Sequence, residues 1–514
     1  MEPFLLRYRP LRWFSIAAFL CVAYGPIAGA FAGSLHEPFL SLTELLSARR
    51  MELLAQSLTF SFAIAVFTTV VGVLAALALA RYLPRSARKL AWLLLATIAL
   101  PTTVAAMGWS YFFAVLSSIT GSSISGSWLG AAMAQGMALL PFASGVALQA
   151  LCASDMRLID AARVLVSPAR LLFTIAVPLA RPTLVSGAAL VFLLSLLDYT
   201  IPSIFGVNTY ALEIFVAFSA THRVSDALLL SVPLVGSALL LIATVSGLPK
   251  QLAQATTQTF PCDGALPLPL RAALLLGAML CLAALLVPLA AMLPALGNPA
   301  YLGRTLVASW RETGYTLATS TTAALLALPL AIGPAVQILL GGPGARLVWA
   351  LCLLPFLAPP ALIGVGLIAL WAPVHFVDIY GSHWMTIAAE LARFTPVSIV
   401  VLAAWLLRTD PTLFESAIIG ATSLRKMAVQ VLLPLTIPGL LGAAGIAFVL
   451  SIGEIGANLL VAPAGSATLS LKTYNYLHYG GSQAAAGLCL LLLAMAVLGV
   501  AVPAWIINRL TRIA

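Results

Sequence analysis

The sequence predicts an all-α polytopic membrane protein with about twelve transmembrane helices in two parallel six-helix repeats. Of its 514 residues, 62% are hydrophobic and 8% are charged, and its mean hydropathy of +1.07 lies far outside the soluble range. Apolar runs long enough to cross about 30 Å of hydrocarbon follow one another along the chain. Features of the first half recur about 256 positions later, which indicates an internal duplication.

Each half contains six apolar runs. In the first half they lie near residues 13–31, 57–80, 89–116, 127–152, 182–206 and 227–247. In the second half they lie near residues 271–297, 315–340, 346–372, 383–407, 439–462 and 484–506. The segment between the halves is rich in Gln, Thr and Pro and predicts a cytoplasmic connector. We therefore predict a first repeat at residues 1–247, a linker at 248–270 and a second repeat at 271–514.

The first apolar run admits two interpretations. Arg7, Arg9 and Arg12 precede it, and small residues near its end resemble the cleavage region of a secretory signal. Its 19 residues, from Trp13 to Phe31, are enough to span a membrane, which favours an uncleaved first helix. The sequence leaves open whether this helix is retained.

Charge placement predicts the orientation of the helices. With the N-terminus in the cytoplasm, 19 of the 26 Lys and Arg residues lie on the inner side and six on the outer side, while Arg393 lies within a run. This positive-inside bias predicts that both termini are cytoplasmic. The net charge of +10 is thus explained by topology and by contact with membrane lipid, and we expect no nucleic-acid partner.

Two polar loops stand at equivalent places in the two halves, on the predicted cytoplasmic side. In the second half, the loop within Asp410–Gly439 carries Glu415, Ala417, Gly420 and Pro434. In the first half, the loop within Asp155–Pro182 carries Asp160, Ala161, Ala162 and Pro178. Both loops resemble the E-A-A-x3-G-x9-I-x-L-P signature of ABC importer permeases, from which Ser416, the early Gly420 and the missing glycine of the first loop depart. An ordinary cytoplasmic connector is the alternative interpretation.

Other features recur with the same spacing. Pro101 matches Pro359 at an offset of 258 residues, and Asp198 matches Glu454 at an offset of 256. Because six helices separate equivalent points, the two repeats have the same orientation, and a pathway is expected between them.

Charged residues inside the runs are candidates for the translocation path or its gates: Asp198, Glu454, Glu390 and Arg393. A charge at this depth is costly, so it should face protein or a water-filled path. The alternative is that Glu390 and Arg393, three residues apart, form ion pairs that set helix packing, with Arg393 also a candidate partner of Glu454. The first half has Gln135 and Ala138 at the Glu390 and Arg393 positions, so that pair is not duplicated.

A cluster of aromatic and imidazole side chains follows the second-half acid: Tyr474, Tyr476, His478 and Tyr479. It is interpreted either as an aromatic belt at the outer membrane interface or as a docking surface for an external protein.

The residues show no enzyme chemistry. No G-x-x-x-x-G-K-[ST] phosphate loop occurs, and neither does a Ser/His/Asp or paired-carboxylate arrangement. The six cysteines lack the spacing of a zinc site or a disulfide framework. We therefore expect a transport subunit rather than an enzyme, with no metal site and no cofactor in this chain.

Two fused six-helix units with paired loops of this kind resemble the ferric-iron type of ABC importer permease, a group that includes thiamine and phosphonate relatives. The most similar stretch is Leu450–Gly480. The resemblance implies a transport subunit of the bacterial inner membrane, with a cytoplasmic ATPase dimer that binds ATP and an extracytoplasmic substrate-binding protein as partners. It implies ferric iron as the substrate, while thiamine, phosphonates and other small solutes remain open.

The first loop is expected to form a short helix–turn–helix along the inner membrane surface. Its apolar residues Leu171, Leu172, Ile175 and Pro178 are expected to pack toward the spans, while Arg163 and Arg170 face outward.

Two other classes of protein are alternatives to this interpretation. Secondary transporters of the major facilitator type also have twelve helices in two parallel repeats, but their G-x-x-x-D-R-type loop has no counterpart at Arg81–Lys89. A membrane-embedded enzyme would need a catalytic constellation, which the sequence lacks.

Overall fold

The computed structural model describes residues 9–38, 42–121, 124, 126–245, 264–294, 297, 299–374, 378–410, 412–413 and 433–513. Every element of regular structure in these ranges is a helix. Eleven helices are long and apolar enough to cross a membrane, and a bent pair brings the number to 12. The predicted all-α polytopic membrane fold is confirmed.

Helices α1–α10 form the first half. Their bounds are α1 Arg9–Ser34, α2 Ala48–Tyr82, α3 Ala87–Ala96, α4 Thr102–Thr120, α5 Trp128–Cys152, α6 Met156–Arg163, α7 Val177–Leu197, α8 Thr200–Ile204, α9 Tyr210–Thr221 and α10 Val224–Val245. A three-residue turn at Pro168–Arg170 and a π-helix at Leu171–Ala176 lead directly into α7. The side chain of Ser127 caps α5 by accepting a hydrogen bond from the Gly130 N–H.

Helices α11–α20 form the second half. Their bounds are α11 Leu268–Met292, α12 Pro299–Ala308, α13 Trp310–Leu340, α14 Gly342–Phe356, α15 Pro360–Trp371, α16 His383–Arg408, α17 Leu433–Ile452, α18 Asn458–Val461, α19 Leu469–His478 and α20 Ser482–Ile513. Ser382 caps α16 by accepting a hydrogen bond from the Trp384 N–H.

Two predicted spans are broken by proline rather than continuous. The run at 89–116 divides into α3 and α4 before Pro101, where Leu100 adopts an extended backbone. The run at 346–372 divides into α14 and α15 at Pro359 and Pro360, with a bend of 90°. A proline has no N–H to donate and disfavours helical geometry in the residue before it, so each helix stops there.

Two further spans end earlier than the apolar runs do. The run at 182–206 stops being helical at Leu197, and the run at 439–462 stops at Ile452. Asp198 and Glu454 follow within two residues of these ends. Each break is followed by a short helix, α8 or α18, so the membrane part of each half contains irregular backbone at two places.

The first helix of each half packs against the other half. Helix α1 lies along α15, where a side chain on Gly366 would collide with the carbonyl of Pro26. Helix α11 lies along α2 and α4, where a side chain on Gly108 would collide with Pro288. Small residues allow this close approach of membrane helices. The two halves are therefore interlocked by an exchange of their first helices.

Candidate functional site

The four helix breaks meet at one cavity of about 150 Å³. Pro101 and Thr102 line it from the α3–α4 break, and Pro360 lines it from the α14–α15 break. The segments Asp198–Thr200 and Gly453–Gly456 line it from the ends of α7 and α17. Irregular backbone at membrane depth is tolerated where protein buries it or where it lines a cavity. Each half thus contributes two helix breaks to this central cavity.

The two acids at the breaks satisfy backbone donors of the short helices. One carboxylate oxygen of Asp198 accepts the Thr200 N–H at 2.8 Å. One carboxylate oxygen of Glu454 accepts the Ala457 N–H at 2.7 Å. These N–H groups lie at the first turn of a helix and have no partner within it. Each acid therefore stabilises the break in its own half.

Arg393 forms an ion pair with Glu454. Its guanidinium, on α16, donates to the second carboxylate oxygen of Glu454, and the two side chains are only 12% and 5% exposed. The guanidinium carbon also lies 5.2 Å from the ring centre of Phe394. Among the described residues lining the cavity, Arg393 is the only base. A pair at this depth depends on both partners, because either one alone would be a buried unpaired charge.

Asp198 has neutral partners instead. The amide of Gln135, on α5, donates to the Ser195 carbonyl at 3.1 Å and to the second oxygen of Asp198 at 3.5 Å. Asp198 and Gln135 also line a second cavity of about 210 Å³, which α11 closes on one side. Asp198 therefore lies between the two cavities without a base in hydrogen-bond contact.

Glu390 lies outside both cavities. It is 1% exposed, and the Asn458 amide donates to it at 3.5 Å. Although Arg393 is three residues away on the same helix, the ion pair of Arg393 is with Glu454. Of the four charged residues predicted for the path, the structure gathers Asp198, Arg393 and Glu454 around the central cavity and places Glu390 beside it.

A contact between the halves lies next to the cavity. The hydroxyl of Ser203, on α8, is 3.2 Å from the hydroxyl of Tyr474, on α19. The ring of Tyr474 also packs on His478, with ring centres 4.2 Å apart. Tyr474 is 9% exposed, whereas Tyr479 is 88% exposed. Only part of the predicted aromatic cluster therefore faces outward, and Tyr474 serves in packing between the halves.

The first predicted loop forms helix α6 on one end of the bundle. Asp160 and Ala161 are exposed and Ala162 is partly so, while Met156 and Ile159 anchor the helix in the core. Beyond α6, Leu171 and Leu172 are buried as predicted, but Pro178 is exposed, because it occupies the first turn of α7 on its outward side. Arg163 and Arg170 are exposed, as expected.

Sequence reasoning missed an apolar surface on this loop. Leu158, Val164 and Leu165 are 53%, 86% and 82% exposed, respectively. Exposed apolar residues rimmed by Asp160 and Arg163 are typical of a protein–protein contact. Their exposure was not readable from the sequence, because they belong to the same apolar periodicity as the buried residues of the loop.

The second predicted loop is described only at its ends. Glu415, Ala417 and Gly420 lie outside the described residues. Pro434 is exposed in the first turn of α17, the position that Pro178 holds in α7. At the start of the loop, the Thr412 N–H donates to Asp410 and lowers the pKa of that carboxyl.

Two more residues of the site were not predicted. Tyr199 lines the central cavity and is 2% exposed, and its hydroxyl has no hydrogen-bond partner among the described residues. Asn458 opens α18 and bridges Glu390 to the Glu454 carbonyl. Their nearness to Asp198 and Glu454 in sequence was the available signal. Within the described ranges, no group of three or more His, Cys, Asp or Glu side chains is arranged to hold a metal ion.

Comparison with known proteins gives a distant relative. No protein-family model matches the chain, and no solved structure matches it. The chain is similar to the molybdenum transport system permease protein ModB of Escherichia coli strain K12 and of Escherichia coli O157:H7, with 26% identity over 219 residues. The match covers 40% of this chain and 95% of each relative. ModB is an ABC importer permease, so the similarity supports a transport subunit of the ABC permease family rather than an enzyme. Together with the many apolar helices, it supports a multi-pass protein of the bacterial inner membrane.

Proposed function

We propose that this chain is the permease subunit of a binding-protein-dependent ABC importer and that solute crosses the membrane through the central cavity. The observation that carries the proposal is the meeting of four helix breaks, two from each half, around buried charges. Discontinuous helices at a repeat interface are typical of transporter binding sites. Both termini and the two loops lie in the cytoplasm in this proposal, in keeping with the inner-side excess of Lys and Arg.

The proposal includes the internal duplication, with repeats at 1–247 and 271–514 joined by the linker at 248–270. Equivalent hydrogen bonds support it: the Ser57 hydroxyl accepts the Tyr210 N–H at 2.9 Å, and the Thr316 hydroxyl accepts the Leu469 N–H at 2.8 Å. In both bonds the second-half residue lies 259 positions after its counterpart. The match to 95% of ModB also covers only 40% of this chain, which leaves room for a second unit.

A separate ATPase dimer drives the cycle in this proposal. Its contact surfaces are the two cytoplasmic loops, with Asp160, Ala161, Ala162 and Pro178 in one and Glu415, Ala417, Gly420 and Pro434 in the other. The exposed apolar residues around α6 support a protein contact there. Because α6 is anchored by Met156 and Ile159, force on it passes to α7 and to the break at Asp198. ATP-driven closure would then rock one half against the other.

An extracytoplasmic binding protein would deliver the solute to the opposite end. Helices α9 and α19 and the exposed Tyr479 are the candidate contacts. The Ser203–Tyr474 contact joins the halves beside the cavity and is a candidate outer gate.

Ferric iron is the substrate that we propose. Among the described residues lining the central cavity, the one base, Arg393, is paired with Glu454, and the hydrogen-bond partners of Asp198 are neutral. An acidic lining of this kind favours a cation over an oxyanion. Thiamine, also cationic, is the next candidate, and a phosphonate or a molybdenum oxyanion would meet no free base there. Measuring iron and molybdenum accumulation in cells expressing the whole transporter, together with uptake of radiolabelled thiamine and phosphonate, decides between them. Molybdenum accumulation without iron accumulation would overturn the substrate proposal.

The coupling proposal is tested by charge reversal at Asp160. In the purified complex with its ATPase and binding protein, Asp160→Lys should abolish solute-stimulated ATP hydrolysis, because the new charge disrupts the ATPase contact. Glu52→Lys, an exposed change on α2 far from the loop, is the control and should leave hydrolysis intact. Normal stimulation in Asp160→Lys would refute the assigned contact.

The energy source separates this proposal from a secondary transporter. Uptake into vesicles should need the ATPase and persist when the proton gradient is collapsed while ATP is maintained. Uptake by the purified chain alone under a pH gradient would favour the major facilitator class instead.

A further inference from the structure

A small polar nest lies in the core of the second half, beside the central cavity. It is formed by Glu390 on α16, Ser451 near the end of α17 and Asn458 at the start of α18. These side chains are 1%, 2% and 0% exposed, respectively. None of the three lines either cavity, so the nest is separate from the proposed solute path.

The nest has more hydrogen-bond acceptors than donors. The Asn458 amide nitrogen donates to one oxygen of Glu390 at 3.5 Å and to the Glu454 carbonyl at 3.2 Å, and these two acceptors set the orientation of the amide. The Asn458 amide oxygen and the second Glu390 oxygen have no partner among the described residues. The Ser451 hydroxyl faces Glu390 and makes no hydrogen bond of good geometry with the described chain. Within the described residues, the Asn458 amide oxygen and one Glu390 oxygen therefore have no donor, and the Ser451 hydroxyl lies beside Glu390.

An ionised Glu390 would have no ion-pair partner among the described residues. The nearest base on its own helix is Arg393, whose guanidinium contacts Glu454. Asp198, which also lies near Arg393, adds a third carboxylate around this single base. A buried carboxylate without a counter-charge is strongly disfavoured.

In the first half, the position that corresponds to Glu390 carries no carboxylate and needs no counter-charge. Gln135 stands where Glu390 stands, and its amide donates to the Ser195 carbonyl. Ser195, the counterpart of Ser451, donates its hydroxyl to Ser61 at 3.3 Å. A neutral amide needs no counter-ion, so the requirement is specific to the second half.

We propose that the nest binds one alkali-metal cation, Na⁺ or K⁺, through the free oxygens of Glu390, Asn458 and Ser451. Hard cations prefer carboxylate, amide and hydroxyl oxygens, and one carboxylate balances a single positive charge. The ion would link α16 to the break between α17 and α18, and so hold one wall of the central cavity in place. This role is independent of which solute crosses the membrane and of how ATP hydrolysis is coupled.

The test is the thermal unfolding of the purified full-length chain, followed by tryptophan fluorescence. Replacing N-methylglucamine chloride with NaCl or KCl at constant ionic strength should raise Tm saturably by about 2–4 °C. Glu390→Gln, which installs the residue found in the first half, should abolish this rise. Glu312→Gln, at the outer end of α13, should retain it and serves as the matched control.

A direct measurement of ion binding tests the proposal even if Glu390→Gln fails to fold. Equilibrium dialysis of the wild-type chain with radioactive sodium or rubidium should give one bound ion per chain, and Ser451→Ala should weaken its affinity. A Tm that responds to no alkali cation would overturn the proposal. So would a rise that survives in Glu390→Gln, or a Tm that depends on pH alone, which would place a proton on Glu390.

Discussion

The two halves each place an acid at a helix break, but the side-chain partners of the two acids differ. Asp198 and Glu454 each accept a backbone N–H at the start of a short helix, at 2.8 and 2.7 Å. Beyond that shared role, Asp198 meets the neutral amide of Gln135, whereas Glu454 meets the guanidinium of Arg393. The backbone role of the acid is thus common to both halves, and the side-chain partner is where they differ. The difference makes the cavity chemically asymmetric, although each half lines it with a carboxylate at a helix break.

Removal of Arg393 should lower the stability of the protein the most. Arg393→Ala leaves Glu454 buried without its base, so the free energy of unfolding should fall by about 3–5 kcal/mol. Gln135→Ala removes one neutral donor from Asp198 and should cost about 1 kcal/mol. Chemical unfolding of both variants in detergent measures the contrast.

A double substitution sharpens the result. Arg393→Ala combined with Glu454→Ala should recover part of the lost stability, because no unpaired charge remains. Equal losses for Arg393→Ala and Gln135→Ala would mean that the ion pair contributes no more than the neutral contact does.

The next largest loss of stability is expected where α1 and α11 pack against the opposite half. Gly366→Val places a side chain against the Pro26 carbonyl, and Gly108→Val places one against Pro288. Each should destabilise the chain by about 1–3 kcal/mol, since overpacking forces the helices apart. Gly303→Val, on α12 with open space around it, is the control. Thermal unfolding should show similar losses for the two buried changes, and a loss for only one would argue against equivalent crossings.

The smallest effect is expected at the ion pairs of α9 and α19, where the halves have opposite polarity. On α9 the acid Glu213 meets Arg50 of α2 at 3.5 Å, whereas on α19 the base Lys472 meets Glu312 of α13 at 2.9 Å. Partly exposed pairs of this kind contribute up to about 1 kcal/mol. Lys472→Glu should therefore lower stability slightly, and adding Glu312→Lys should restore it by exchanging the two charges.

The measurement is again the free energy of unfolding, at low and at high salt. The loss in Lys472→Glu should shrink at high salt, because ions screen exposed charges. A salt-independent loss, or no recovery in the exchanged pair, would show that Lys472 stabilises α19 by packing instead.

Sequence patterns predicted the number and kind of elements well and their continuity poorly. The apolar runs located the spans because each span must cross about 30 Å of hydrocarbon. They did not show that four of the runs are broken. Prolines such as Pro101 and Pro360 also occur in helices that only bend, and Leu, Ile and Val continue past Asp198 and Glu454. The spacing singled out the Asp160 loop as a candidate, but it did not predict the exposure of Val164 and Leu165.

Within the described chain, the sequence by itself determined the helical class and the presence of costly charges in apolar runs, since composition and spacing are local properties. The tertiary structure decided which charges meet. Glu390 and Arg393 are three residues apart, yet Arg393 pairs with Glu454, 61 positions away, because α17 breaks just where its next residues can reach α16. Likewise, the exchange of α1 and α11 depends on glycines whose partners lie in the other half. Contacts between distant segments follow from packing, which no local pattern encodes.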